Sequence, residues 1–92
     1  MKYEVINAFA NPTRLKILCC LSKGKKNVQE LIENCSLAQS AVSQHLTKLK
    51  QAGLVKDEKE GKFVFYSLTN NKAAHLAQQL QQLIKELQNE TT

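Results

Sequence analysis

Ser40, Gln44, Thr47, Lys48 and Gln51 fall on one side of the segment Gln39 to Gln51, opposite Val42, Leu46 and Leu49, which recur at i, i+4, i+7. That spacing predicts an amphipathic helix with a single apolar stripe. The outward hydroxyls and amides are short or flexible groups that can hydrogen-bond base edges, and Lys48 and Lys50 follow them as charges suited to phosphates. The stretch from Leu31 reads as an earlier helix and a three-residue turn. Together they make a helix-turn-helix, with the Gln39 to Gln51 helix as the one expected to read duplex DNA.

Other reactive side chains are sparse. Three cysteines, an odd number in a short chain without a secretory signal, argue against a disulfide framework. Cys19 and Cys20 are adjacent and Cys35 is isolated, so no CxxC or Cys/His zinc spacing exists, and neither a metal nor another cofactor is expected. No paired carboxylates, nucleophile and base, or phosphate loop suggest an enzyme.

The elements that must position the reading helix can be placed by their start and stop signals. Val5, Ile6 and Phe9 share a face of a short first helix over about residues 2 to 10. Asn11-Pro12 is a strong helix start, because Asn caps open amides and Pro lacks only an amide that would be orphaned. The helix it opens runs to about Lys23 on a Leu15, Leu18, Leu21 stripe and ends at Gly24. Lys25 to Val28 is a short extended or turn segment before a third helix, about 28 to 34, anchored by Leu31 and Ile32. After Gly53, Leu54-Val55 opens a strand, Asp57 to Lys62 forms a charged tip, and Phe63 to Leu68 is a run of β-formers, so a β-hairpin follows. Asn70 or Asn71 caps a long last helix with Leu76, Leu80, Leu83, Ile84 and Leu87 on one stripe and Gln78, Gln79, Gln81, Gln82 and Gln88 toward solvent. The final residues, 89 to 92, are expected to fray.

The whole is one domain over 1–92, mainly α with a β-hairpin wing (α+β). A solitary domain this small has a thin core, and the regular last stripe has no other obvious surface to cover than a second copy of itself. No apolar run approaches the roughly 20 residues of a membrane span, and the N-terminus does not read as a secretory signal, so a cytoplasmic protein without a membrane partner is expected. Thirteen Lys and Arg against eight Asp and Glu give a net charge of +5. Eight of those cations and only three acids lie in residues 1–50, which favours a polyanion through counterion release.

Four segments in order, Phe9 to Leu18 (FANPTRLKIL), Leu37 to Leu46 (LAQSAVSQHL), Ala52 to Val55 (AGLV) and Gly61-Lys62 before Phe63 to Leu68, resemble the ArsR/SmtB family of transcriptional repressors over nearly the whole chain. The resemblance implies a winged helix-turn-helix homodimer joined by its first and last helices, residues 1–10 and 71–89, through Val5, Ile6, Phe9, Leu76, Leu80, Leu83, Ile84 and Leu87. It implies a repressor that covers a promoter and leaves when an inducer is sensed. By motif position Gln39, Ser40, Ser43, Gln44 and His45 would face the major groove, with Thr47 and Lys48 beside them. Lys59 and Lys62 would lie along the adjacent backbone or minor groove. Two such helices about 34 Å apart would read an inverted repeat.

Some positions have competing readings. His45, beside the apolar stripe, is either a base reader or a semi-buried packing or backbone-contacting residue. Ser40 also suits a helix start. Asp57, Glu58 and Glu60 would repel phosphate, and Phe63, Phe65 and Tyr66 read as wing core. The family's metal ligands are missing: Asn27 to Leu31 has no Cys-x-Cys, and His75 on the last helix has Ala73 two residues before it and Glu86 eleven after. Cys19 matches a cysteine of a redox- or sulfide-responsive subgroup, but that subgroup's partner cysteine on the last helix has no counterpart in residues 69–92. It is a candidate redox residue if Arg14, Lys16 and Lys23 lower its pKa, and otherwise an apolar filler, as Cys20 and Cys35 are. A winged helix serving as a protein-interaction module, without direct DNA reading, is the alternative function on the same fold.

Overall fold

The Asn11 side chain accepts from the backbone amides of Thr13 and Arg14 at 2.9 and 3.1 Å, and the helix it caps begins at Pro12. Asparagine capping recurs at Asn27 and Asn70, ahead of two later helices, in the computed structural model, which describes residues 3–90. The chain runs α1 (Tyr3–Ala8), α2 (Pro12–Leu21), β1 (Lys26–Asn27), α3 (Val28–Cys35), α4 (Gln39–Gln51), β2 (Val55–Glu60), β3 (Phe63–Leu68) and α5 (Lys72–Glu90). The expected start of the first helix at residue 2 and the fraying of residues 91 and 92 lie outside the described residues, whereas residues 89 and 90, also expected to fray, continue the last helix.

The first helix is shorter than its apolar spacing suggested. Phe9 and Ala10 leave it in a tight turn, their amides bonded three residues back to Ile6 and Asn7, because Asn11 must be extended to cap the next helix. At the start of α3 a reciprocal capping box forms: the Asn27 side chain accepts from the Glu30 amide at 2.8 Å, and the Glu30 carboxylate accepts from the Asn27 amide at 3.0 Å. Helix α4 ends in a Schellman motif, with Leu54 N–H donating to the Leu49 carbonyl and Gly53 N–H to that of Lys50, both at 3.0 Å. Gly53 sits at φ 82, the left-handed position that this motif demands.

The expected hairpin is a three-stranded antiparallel sheet, ordered β1-β3-β2. Val55 to Glu60 pairs with Leu68 to Phe63, and the two-residue strand β1 adds Lys26 opposite Tyr66 and Asn27 opposite Phe65. Two residues are too few to show alternation, so β1 reads locally as a loop. The turn is also tighter than the charged run implied: Asp57 to Glu60 belong to β2, and only Gly61, at φ 63, and Lys62 connect the strands.

Ile17, Leu18, Leu31, Val42, Leu46 and Leu49 are completely or almost completely buried where α2, α3 and α4 meet, and Leu15, Leu21, Leu37, Ala52 and Val55 close the core around them. Burying each large aliphatic side chain is worth about 2 to 3 kcal/mol, so this cluster is what holds α4 in place. Helix α5 joins it differently. Ala73, Ala74 and Ala77 are buried, and these small side chains let the start of α5 pack closely on α2.

Two cysteines expected to be separate fillers are brought together. Cys20 of α2 and Cys35 of α3 form a disulfide, with Cα atoms 6.4 Å apart. The crossing of α2 over α3 makes the pair, and no local spacing announces a contact across 15 residues. Among the described residues no helix is long and apolar enough to cross a membrane.

Candidate nucleic-acid interface

Helix α3 stops at Ser36, which adopts a left-handed conformation at φ 54, and buried Leu37 anchors the turn into α4. Val42, Leu46 and Leu49 then fix the rotation of α4 about its axis, so its opposite face must look outward. Gln39, Ser40, Ser43, Gln44, Thr47 and Lys48 are all exposed on it. The N-cap, Ala38, makes no side-chain cap, which leaves the first amides of α4 available to an anion.

Individual side chains on this face differ in what they can offer. The Thr47 hydroxyl donates to the Ser43 carbonyl at 2.9 Å, so outwardly it presents only acceptor lone pairs and its methyl group. Gln44 keeps an amide able to donate and accept together, the pattern that suits an adenine edge. Lys50 does not continue toward phosphate: its Nζ lies 2.9 Å from Asp57 Oδ2 and ties the end of α4 to the wing. His45 is half-buried and sits 3.2 Å through Nδ1 from Arg14 Nη1. Burial, then Arg14 and Lys48, push its pKa below the usual imidazole value.

The wing is braced at two points. Beside Lys50–Asp57, an ion pair joins Lys25 to Glu60, and the Lys25 ammonium also stands 5.1 Å over the Phe65 ring. The hydrogen bond to Glu60 is the main cause of the raised Lys25 pKa. Two of the three wing carboxylates are thus already matched with lysines, which removes much of the repulsion that their sequence implied. Lys59, opposite Val64 in the hairpin, and Lys62 in the turn are exposed. Phe63 is half exposed at 51% and is not part of a wing core, because it pairs with Glu60 beside the turn, at the tip of the hairpin.

A second exposed region lies on α1 and α5. Ile6, Leu76, Leu83, Ile84 and Leu87 are exposed, whereas Val5, Phe9 and Leu80 are half-buried. Ile6, Phe9, Leu76, Gln79, Leu80 and Leu83 line an open apolar groove of about 500 Å³. Leaving so many large aliphatic groups in water on one continuous face is costly in an isolated chain.

Cys19 is the free thiol, half-buried, and donates to Gln81 Oε1 at 3.3 Å. Burial raises its pKa, opposite to the activation expected from nearby cations, because the Arg14 side chain turns toward α1 and α4 instead. Gln81 is accordingly half-buried rather than part of the solvent face. His75 is exposed, and among the described residues no three His, Cys, Asp or Glu side chains gather as a metal set.

Sequence reasoning missed Arg14, which at 8% exposure is a buried charge. Its signal was available: Arg14 stands at i−4 and i−7 from Leu18 and Leu21, a lone cation on a buried stripe.

The model of the family described as "Bacterial regulatory protein, arsR family" matches residues 11–57. The transcriptional activator HlyU of Vibrio cholerae is 40% identical over 79 residues, covering 86% of this chain and 73% of that protein. Its solved structure gives a TM-score of 0.73 over 88% of both chains. The biofilm growth-associated repressor of Agrobacterium fabrum is 37% identical over 76 residues, which are 83% of this chain and 65% of that one. The homodimeric winged helix-turn-helix DNA-binding domain Mb0332 of Mycobacterium bovis, a possible ArsR-family regulator, is 28% identical with a TM-score of 0.74, over 96% of this chain and 82% of that one.

Proposed function

We propose, from the premise that this chain belongs to the ArsR family of bacterial regulatory proteins and is a homodimeric DNA-binding transcriptional regulator, that it is a cytoplasmic repressor of promoters carrying an inverted repeat. The α1 and α5 faces of two copies cover one another, and each α4 enters a major groove. Gln39, Ser40, Ser43 and Gln44 read base edges, Thr47 accepts or makes apolar contact, and Lys48 with the open α4 amides holds phosphate. Lys59 and Lys62 lie along the flanking backbone. Occupying the promoter in this way excludes the transcription machinery.

The observation that carries this reading is the exposed Gln39, Ser40, Ser43, Gln44, Thr47, Lys48 face on a helix whose other side is locked in the core. Relatives include a named activator and a named repressor, so the sign of regulation is the finer part of the proposal. It is tested by selecting bound genomic fragments with the purified protein. Inverted repeats with half-site centres about one helical turn apart are expected, with an affinity that falls steeply with salt. Adding the protein to transcription from a recovered promoter should lower the transcript yield; a rise would make it an activator.

A further inference from the structure

The buried Arg14 guanidinium is shared between two helices with different tasks. Its Nε donates to the Ala8 carbonyl at 3.0 Å and its Nη2 to the Asn7 carbonyl at 2.8 Å, at the end of α1. Those carbonyls belong to the last turn of α1; that of Asn7 also accepts from the Ala10 amide, and a cation at this end suits the helix dipole. The remaining arm, Nη1, meets His45 Nδ1 in the middle of α4 at 3.2 Å. One planar fork therefore fastens the end of α1 to the reading helix. Because α1 belongs to the apolar face proposed to meet the second copy, the same fork lies between the dimer contact and the DNA contact.

The chemistry of this fork dictates the state of the histidine. Arginine only donates, so Nδ1 must accept, which places the imidazole hydrogen on Nε2 and keeps the ring neutral. We infer that Arg14 and His45 are positioning residues for DNA binding, a neutral imidazole–guanidinium tether that sets α4 relative to α1, and that protonating His45 releases it. This inference rests on the DNA-reading function proposed above. Protonation puts a hydrogen on Nδ1 facing the guanidinium and replaces a hydrogen bond with repulsion between cations. The charged groups around the ring favour the neutral form: Arg14 from α2 and Lys48 from α4 are both cations, while Glu4 of α1 is the one carboxylate lining the cleft that Arg14 and Lys48 share. The lowered pKa of His45 agrees with that arrangement.

The sign of the pH effect distinguishes this tether from simple charge gain. Acidification adds positive charge to a DNA-binding helix, which by itself tightens binding to any duplex. Release of the tether does the reverse for the operator. Since the pKa of the folded-state ring lies below its ordinary value of about 6.5, the tether is complete at neutral pH and is lost only as pH falls through that lowered pKa.

The test uses the full-length dimer in a His75→Gln background, so that His45 is the only histidine. Operator and random-duplex affinities are measured from pH 7.5 down to 4.5, past the lowered pKa of the ring. Operator binding is expected to weaken by about tenfold or more across that range, the scale of losing a hydrogen bond to a charged group. His45→Gln, whose amide oxygen still accepts from Arg14 and does not titrate, should keep the affinity and flatten the pH profile. His45→Leu, which offers no acceptor, should bind weakly at every pH while remaining dimeric. Operator binding that tightens or stays level on acidification, or a folded His45→Leu dimer that binds like the parent, overturns the inference. Imidazole nitrogen NMR of the parent protein decides the tether independently of folding defects in variants: a neutral Nε2–H ring whose Nδ1 accepts a hydrogen bond is expected, and an Nδ1–H tautomer refutes it. If no duplex is bound at any pH, the DNA-reading function fails, while the NMR result still tells whether the tether exists.

Discussion

Helices α4 and α5 carry apolar residues at the same i, i+4, i+7 spacing, yet Val42, Leu46 and Leu49 vanish into the core while Leu76, Leu83, Ile84 and Leu87 remain in solvent. Helix α4 has α2, α3 and β2 packed around its stripe and α1 beside it. Helix α5 docks mainly on α2, and it does so with a different face, through Ala73, Ala74 and Ala77. Its alanines bring it close to its own chain, and Leu76, Leu83, Ile84 and Leu87 stay exposed. The difference teaches that a stripe declares that something will cover it without declaring what. In the proposed function it also divides labour: the helix proposed to read DNA is immobilised by its own fold, whereas α5 would be covered only by association.

Equivalent truncations on the two stripes should break the symmetry most sharply. Leu46→Ala is expected to lower the unfolding free energy by about 2 to 5 kcal/mol, and Leu83→Ala to change the unfolding of the single chain far less, both read from denaturant titrations extrapolated to low protein concentration. Comparable losses at both positions would erase the distinction between a core stripe and an association stripe.

Leu83→Glu comes next in size. Burying a carboxylate between two α5 helices should weaken the dimer by about 100-fold or more, visible in sedimentation equilibrium. Leu83 is a cleaner probe than Leu80, which already packs against the core of its own chain. A persistently dimeric Leu83→Glu protein would move the interface elsewhere.

On the outward face of α4, Gln44→Ala should cost about 1 to 3 kcal/mol against the operator and little against random duplex, whereas Lys48→Ala should weaken all duplexes alike and reduce the salt slope by about one. Equal loss across sequences for Gln44→Ala would reassign that residue to backbone contact. The smallest effect is expected at the brace between α4 and the wing. Asp57→Asn removes a partly exposed ion pair worth at most about 1 kcal/mol, so the melting temperature should barely move.

The bounds of α4, its buried stripe and its polar face were all readable from spacing, because helix period and end signals act over a few residues. Asn11-Pro12 announced α2 for the same reason. Reading was poorer where an element needed a distant partner. The strand β1 exists only because β3 lies beside it, and the wing acids look repulsive until Lys50 and Lys25 are seen to meet two of them.

Local chemistry along the chain therefore settled the order of the helices, the family pattern and which face of α4 looks outward. Contacts between residues far apart in the chain were decided only by packing: Arg14 with His45 across 31 positions, Cys20 with Cys35 across 15 and Cys19 with Gln81 across 62. Hydrogen bonds within a helical turn depend on neighbours that the sequence lists in order. A buried guanidinium or thiol takes whatever acceptor the crossing helices put within about 3 Å, and the crossing is set by the fit of the whole core.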